Sequence, residues 1–174
     1  MNKETVIAEK IKEIMDLLDI EITESNKDTP KRVAKMYLNE VFKNINRNDP
    51  TEDFNVTTFK AENKNKVTVR VPVKSMCEHH WLPFIGEAMI VYIPNEKIIG
   101  LSKIPRIVKF FSQRPQLQER LTNEIGEYLV SVLKPKYLCV RMVAEHTCVS
   151  VRGAESPCET TTVFEYEDKE NTYD

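Results

Sequence analysis

The sequence predicts an α+β chain in which helices come first, strands follow, two helices interrupt, and strands return. Three observations carry that expectation. Apolar residues recur at helical spacing near the N-terminus, and the period switches to two from Val67 onward. The strand segments that follow one another are joined by links too short for a helical crossover, which favours antiparallel pairing over parallel winding.

Taken in order, Ile7, Ile11, Ile14 and Leu18 fall on one side of an amphipathic helix over 4–19, with Lys and Glu between them. Asp28-Thr29-Pro30 reads as a second helix start, with Thr29 as cap and Pro30 in the first turn. Val33, Tyr37 and Val41 continue a buried stripe until 44–50 breaks it. Val67, Val69, Val71 and Val73 then alternate with Thr68, Arg70, Pro72 and Lys74, a half-buried strand with Pro72 near an end or an edge. A second strand spans 88–93 and stops at Pro94-Asn95. Residues 103–112 form a short helix, and 115–133 a longer one with Leu117, Leu121, Ile125, Leu129 and Val132 on one side. Strands are expected again over 138–144 and 147–152, and 160–166 is β-prone. A sheet this small has open edges unless another subunit covers them, so an oligomer is expected.

Composition narrows the class. The chain has 174 residues, 41% apolar and 30% charged, with a formal net charge of −2, which suits one globular domain. No basic excess argues for nucleic acid, and no stretch approaches the roughly 20 apolar residues of a membrane span. The opening MNKETVIAEK lacks a basic-then-apolar secretory pattern, so a cytoplasmic location is expected. Cys77, Cys139, Cys148 and Cys158 are then thiols or metal ligands rather than a disulfide framework.

Reactive residues concentrate in two short segments. Cys77-Glu78-His79-His80 and His146-Thr147-Cys148 together hold all three histidines and two of the four cysteines. Thiolate and imidazole are the ligands zinc prefers, and Cys77 and His80 have a spacing that lets one turn aim both at an ion. With Cys148 as third ligand, a fourth position stays open for water, as in a catalytic site. Spacing alone leaves two other readings standing: a closed four-ligand structural site that also uses His146, or cysteines that are small buried hydrophobes. On an unbroken strand His146, Cys148, Ser150 and Arg152 would share a face, with Arg152 roughly 13 Å from Cys148. That separation suits a ligand with one end at the metal and an anionic end at the guanidinium; a solvated or paired strand arginine fits as well. Ser102, Lys103 and Arg106 open the short helix, where N–H groups and dipole attract anions, or they form an ordinary basic face. Gln118-Glu119 heads the long helix. A carboxylate there suits the adjacent N–H donors of a guanine edge, or simply the helix dipole. No phosphate-binding P-loop is present.

At this point the sequence resembles the GTP cyclohydrolase I family. The resemblance rests on DTPKRVAKMY at 28–37, SMCEHHWLPFIGEA at 75–88, YIPNEKIIGLSKIPRIV at 92–108, QRPQLQERLT at 113–122 and AEHTCVSVRG at 144–153. It implies a T-fold: an antiparallel sheet with a helical pair on one side, preceded by N-terminal helices. Residues 1–50 would be the helical segment and 51–174 the catalytic domain, as one structural unit. Subunit sheets would join into a barrel, two pentamers would stack into a homodecamer, and active sites would lie between subunits.

By the same resemblance Cys77, His80 and Cys148 are zinc ligands, and His146 and His79 the acid–base pair. Glu119 with Gln118 recognises guanine, Leu101 and Ser102 line the nucleoside pocket, and Arg32, Lys103, Arg106 and Arg152 hold the triphosphate. The implied reaction hydrolyses GTP at C8, releases formate, rearranges the ribose and closes to 7,8-dihydroneopterin triphosphate, with Zn2+ as cofactor and neither nucleic acid nor membrane as partner. After Gly153 the chain departs from the family pattern, running AESPCETTTVFEYEDKENTYD, which is shorter and more acidic. A nitrile reductase of the queuosine pathway is a rival of related fold, but it does not need the paired Cys/His cluster.

Overall fold

The computed structural model describes residues 2–169. Helix α1 (Lys3–Leu17) starts where Asn2 Oδ1 accepts the Glu4 N–H, 3.2 Å away. Its apolar stripe is only partly covered by the other described residues. Met15 is buried and Ile7 and Ile11 are half-buried, but Ile14 is 49% and Leu18 65% exposed. The reason is length, because α1 leans mainly on α2 (Thr29–Met36), which has only 8 residues. Asp28, not the expected Thr29, occupies the cap position of α2; Pro30 sits in its first turn and is buried. A π-helical turn (Tyr37–Val41) and a 3-10 turn (Pro50–Glu52) finish the N-terminal part.

The remainder builds one main sheet and a helical pair. In chain order come β1 (Thr58–Lys60), β2 (Val67–Cys77), β3 (Pro83–Ile93) and β4 (Lys97–Ile99). They are followed by α3 (Lys103–Ser112), β5 (Pro115–Gln116), α4 (Gln118–Leu133), β6 (Tyr137–His146), α5 (Thr147–Ser150) and β7 (Glu159–Glu167). The sheet runs β5-β2-β3-β6-β7, antiparallel throughout except for the short parallel pairing of β5 with β2. β1 and β4 pair separately. Pro72 does lie toward an edge, since β2 has β3 on one side and meets β5 only at residues 76 and 77 on the other.

Alternation decides which face is covered. Val71, Val73, Phe84, Ala88, Ile90, Tyr92, Leu138, Val140, Met142 and Ala144 turn inward, while their neighbours stay at least partly exposed. Helices α3 and α4 lie on that inner face, α3 over β2 and α4 over β6 and β7. They deliver Ile104, Ile107, Val108, Phe110 and Phe111, and Leu121, Ile125, Leu129 and Leu133, to a single core. Burying each large side chain of this kind is worth about 1.5–3 kcal/mol. Gly126 permits a close approach of α4 to β7, because a Cβ there would stand 2.5 Å from Cγ of Phe164. This antiparallel sheet with a helical pair on one face is the arrangement expected from sequence. Among the described residues no helix is long and apolar enough to cross a membrane.

Candidate functional site

Several chain ends meet at one corner of the sheet. β2 ends in Cys77, β6 ends in His146, and β5 runs through Leu117 into the first turn of α4. Strand register creates the meeting: Cys77 pairs with Gln116, and Phe84 near the start of β3 pairs with His146.

The strand expected over 147–152 is absent. β6 stops at His146, and Thr147–Ser150 form one helical turn. Pairing with β3 ends at Phe84, leaving the Pro83 carbonyl to accept from Thr147 Oγ1 at 2.6 Å. The chain therefore turns instead of extending. His146, Cys148, Ser150 and Arg152 do not share a strand face, and the extended separation of Arg152 from Cys148 does not apply. The turn carries Cys148 toward Cys77, so the ligand atoms of Cys77, His146 and Cys148 all lie within 4.8 Å of one another. Both cysteines are buried, at 5% and 9% exposure.

The donor set fits a cation. The Cys148 thiol is pushed up in pKa, first by burial and then by its hydrogen bond and proximity to Cys77, with Arg152 opposing. Two thiols facing each other cannot both ionise cheaply, and a divalent ion removes that cost. Soft sulfur pairs with one imidazole suit zinc or a related metal.

Not every expected ligand joins this group. His80 is exposed, and its Nε2 accepts from Arg152 Nη1 at 2.7 Å. His79 is exposed too, with Nδ1 3.9 Å from Cys77 Sγ. His146 is more tightly held. Its ring stacks on Phe84 (4.7 Å between centres, 15° between planes), and its Nε2 is 2.8 Å from Gln118 Oε1. Burial lowers the pKa of His146, and the Glu119 carboxylate partly opposes the shift.

The remaining expected residues lie on α2, α3, α4 and the turn before α3. Glu119 is exposed in the first turn of α4, whereas Gln118 is only 1% exposed and directs its amide to Met142, Thr160 and Thr162. Leu101 and Ser102 are exposed just ahead of α3. Lys103 and Arg106 come together over Phe54, at 6.0 and 5.9 Å from its ring centre. Arg32 is exposed on α2 and makes no hydrogen bond or ion pair with another expected site residue among the described residues.

Sequence reasoning passed over several residues that hold the corner together. Glu78 pairs with Arg120 at 2.7 Å, and its N–H donates to the Gln116 carbonyl at 3.1 Å, tying the 77–82 loop to β5 and α4. Glu78 and Arg120 stand beside residues already singled out, so their opposite charges were a readable signal; their contact was not. Trp81 closes the loop with a left-handed φ of 52°, donating its N–H to the Cys77 carbonyl at 2.8 Å. Such a φ is unusual for a bulky residue, and Tyr37 and Phe42 pack edge-on against the indole at 5.9 and 5.4 Å.

Comparison with known proteins adds the family. A family description, GTP cyclohydrolase I, matches residues 7–172. A GTP cyclohydrolase 1 of Streptococcus agalactiae serotype Ia is 48% identical over 137 residues, covering 77% of this chain and 71% of the relative. One from Carboxydothermus hydrogenoformans is 47% identical over 136 residues, covering 77% and 69%. One from Yersinia enterocolitica is 41% identical over 166 residues, covering 92% and 73%. Among solved structures, an archaeosine synthase, QueF-like, in the apo form superposes with a TM-score of 0.46 at 19% identity, over 61% of this chain and 95% of that one. Relatives at 41–48% identity and a family match spanning nearly the whole chain converge on one statement: the chain belongs to the GTP cyclohydrolase I family.

Proposed function

We propose that this chain hydrolyses GTP at C8, releases formate, and closes the opened product to 7,8-dihydroneopterin triphosphate with the help of one zinc ion. The observation that carries this reading is the meeting of two buried thiols and one imidazole within 4.8 Å, beside the helix start that bears Glu119. When bound, the metal supplies Lewis acidity that activates water near neutral pH.

The chain's own residues do the rest. Cys77 and Cys148 would hold the ion, with His80 as the third ligand once it leaves Arg152. Arg152 is then free to meet the triphosphate together with Lys103 and Arg106, and Arg32 joins from a neighbouring subunit. Glu119 accepts from the guanine N–H edge and orients the base, with Leu101 and Ser102 against the nucleoside. His146 hands a proton to N7, which makes C8 more electrophilic. Burial suits that task, because a depressed pKa makes the protonated ring a stronger acid. His79, on the rim, serves proton transfers in the ribose steps.

One observation favours a variant of this reading: His146, not His80, is the histidine near both sulfurs. The variants separate in metal content. His80→Ala loses the ion if His80 is the third ligand, and His146→Ala loses it if His146 is.

The same reading makes the working unit a decamer of two pentamers. Support comes from open strand edges, since β7 has no outer partner and β2 none along 67–75 among the described residues. Such edges invite pairing with another chain. The assay of the whole proposal is incubation with GTP, with and without chelator, read for formate and for pterin fluorescence after oxidation. Turnover that survives complete metal removal, or no formate from the metal-loaded protein, defeats it.

A further inference from the structure

The first residue of α4 does not behave as a reader of substrate. Gln118 is 1% exposed, and its Nε2 is 2.9 Å from the Thr160 carbonyl, 3.2 Å from the Met142 carbonyl and 3.2 Å from Thr162 Oγ1. Two of those three partners are carbonyls and can only accept, so the carboxamide nitrogen must face them. The amide orientation thereby follows from the backbone of β6 and β7. Thr122 reinforces it through Thr162: its hydroxyl donates to the Gln118 backbone carbonyl at 2.8 Å, so Thr162 Oγ1, 2.6 Å away, donates to Thr122 and is left to accept from Gln118 Nε2.

With the nitrogen committed, Gln118 Oε1 is the atom that meets His146 Nε2, 2.8 Å away. An amide oxygen has no proton to give, so His146 Nε2–H is the donor. Stacking on Phe84 at 15° restricts the ring from its flat side. A neutral His146 held this way carries its proton on Nε2 and keeps the Nδ1 lone pair for other chemistry. A hydrogen bond on one ring nitrogen is what selects the tautomer of a histidine.

We propose that Gln118 is a positioning residue that sets the tautomer and ring orientation of His146, and that recognition of the guanine edge falls to Glu119 without it. The role in turnover rests on the function proposed above; the tautomer does not.

Two measurements test this. In metal-loaded enzyme, Gln118→Leu lowers kcat by about 10- to 100-fold, with KM for GTP, preference for GTP over ATP and metal content unchanged. Gln118→Asn keeps an amide nitrogen able to face the carbonyls but draws the oxygen back from Nε2 by one methylene, and it loses kcat with the same KM. A raised KM or eroded GTP preference in either variant, or an intact kcat in Gln118→Leu, overturns the proposal. If Gln118→Leu does not fold, the Asn variant decides by the same criteria. Separately, solid-state 15N spectra of histidine-labelled wild-type enzyme, assigned with His146→Asn, report the tautomer without any turnover. A proton on Nε2 of His146 is expected, and a proton on Nδ1 of the neutral ring refutes the inference. Absence of formate from GTP with the Nε2–H tautomer in place would defeat the functional reading and leave the hydrogen bond standing.

Discussion

Gly126→Ala tests the helix–sheet contact on which the site corner depends. An added Cβ would stand 2.5 Å from Cγ and 2.6 Å from Cε1 of Phe164, where real Cβ contacts under 3.0 Å essentially do not occur. The obstacle is the flat body of a ring rather than the end of a flexible chain, so α4 or β7 must move. Alanine is the better helix former by about 1 kcal/mol, which favours the variant. Overpacking a core costs about 1–3 kcal/mol, and a clash this deep belongs at the upper end. The net is a loss of about 2 kcal/mol, or roughly 4–8 °C in Tm for a chain of this size. Because α4 begins at Gln118, two turns before Gly126, lifting the helix also loosens the bond to His146, so kcat should fall as well. Denaturant titration together with steady-state turnover makes the check. A variant as stable as the wild type would mean that Phe164 does not lie over Gly126, and the placement of α4 would be wrong.

Three further outcomes are expected. Cys148→Ala loses both bound metal and formate release, measured by elemental analysis and pterin fluorescence; full turnover without metal would remove the site from the reaction. Glu119→Ala lowers the preference for GTP over ATP by about 10- to 100-fold, the worth of one charged hydrogen bond, and an unchanged ratio in competition kinetics would strip Glu119 of its role. Hydrogen bonds from Arg47 and then Lys43 hold the Asp53 carboxyl below its ordinary pKa. A depressed carboxyl contributes stability above its unfolded value near 3.9 and loses it as pH falls through the folded one. Asp53→Asn should therefore flatten the acid side of the stability profile below about pH 4, and an unaltered slope counts against the Arg47–Asp53 contact.

Much of the fold was legible because long periodic segments have one compatible period. Val67 to Val73 could not sit half-buried as a helix, and Leu121, Ile125, Leu129 and Val132, spaced by four and then by three, could not all share one face of a strand. The misreadings lie where local pattern competes with a neighbour. Thr29 resembles a cap as much as Asp28 does, and backbone geometry chose between them. Residues 147–152 alternate well enough for a strand, yet β3 provides no residue beyond Phe84 that pairs with β6, so the chain turned. Ile14 and Leu18 complete a stripe that the described residues leave exposed.

By itself the sequence determined the order of helices and strands, the confinement of all three histidines to two short segments, and the five motifs of the family. These follow from residue type and local spacing, which need no third dimension. Only the tertiary structure decided which histidine faces the sulfurs, that Gln118 turns inward to His146, and that Arg152 reaches His80. Those contacts join residues 28 to 72 positions apart, and strand register and one helical turn bring them together. Nothing in a linear pattern records the direction in which a side chain leaves a turn.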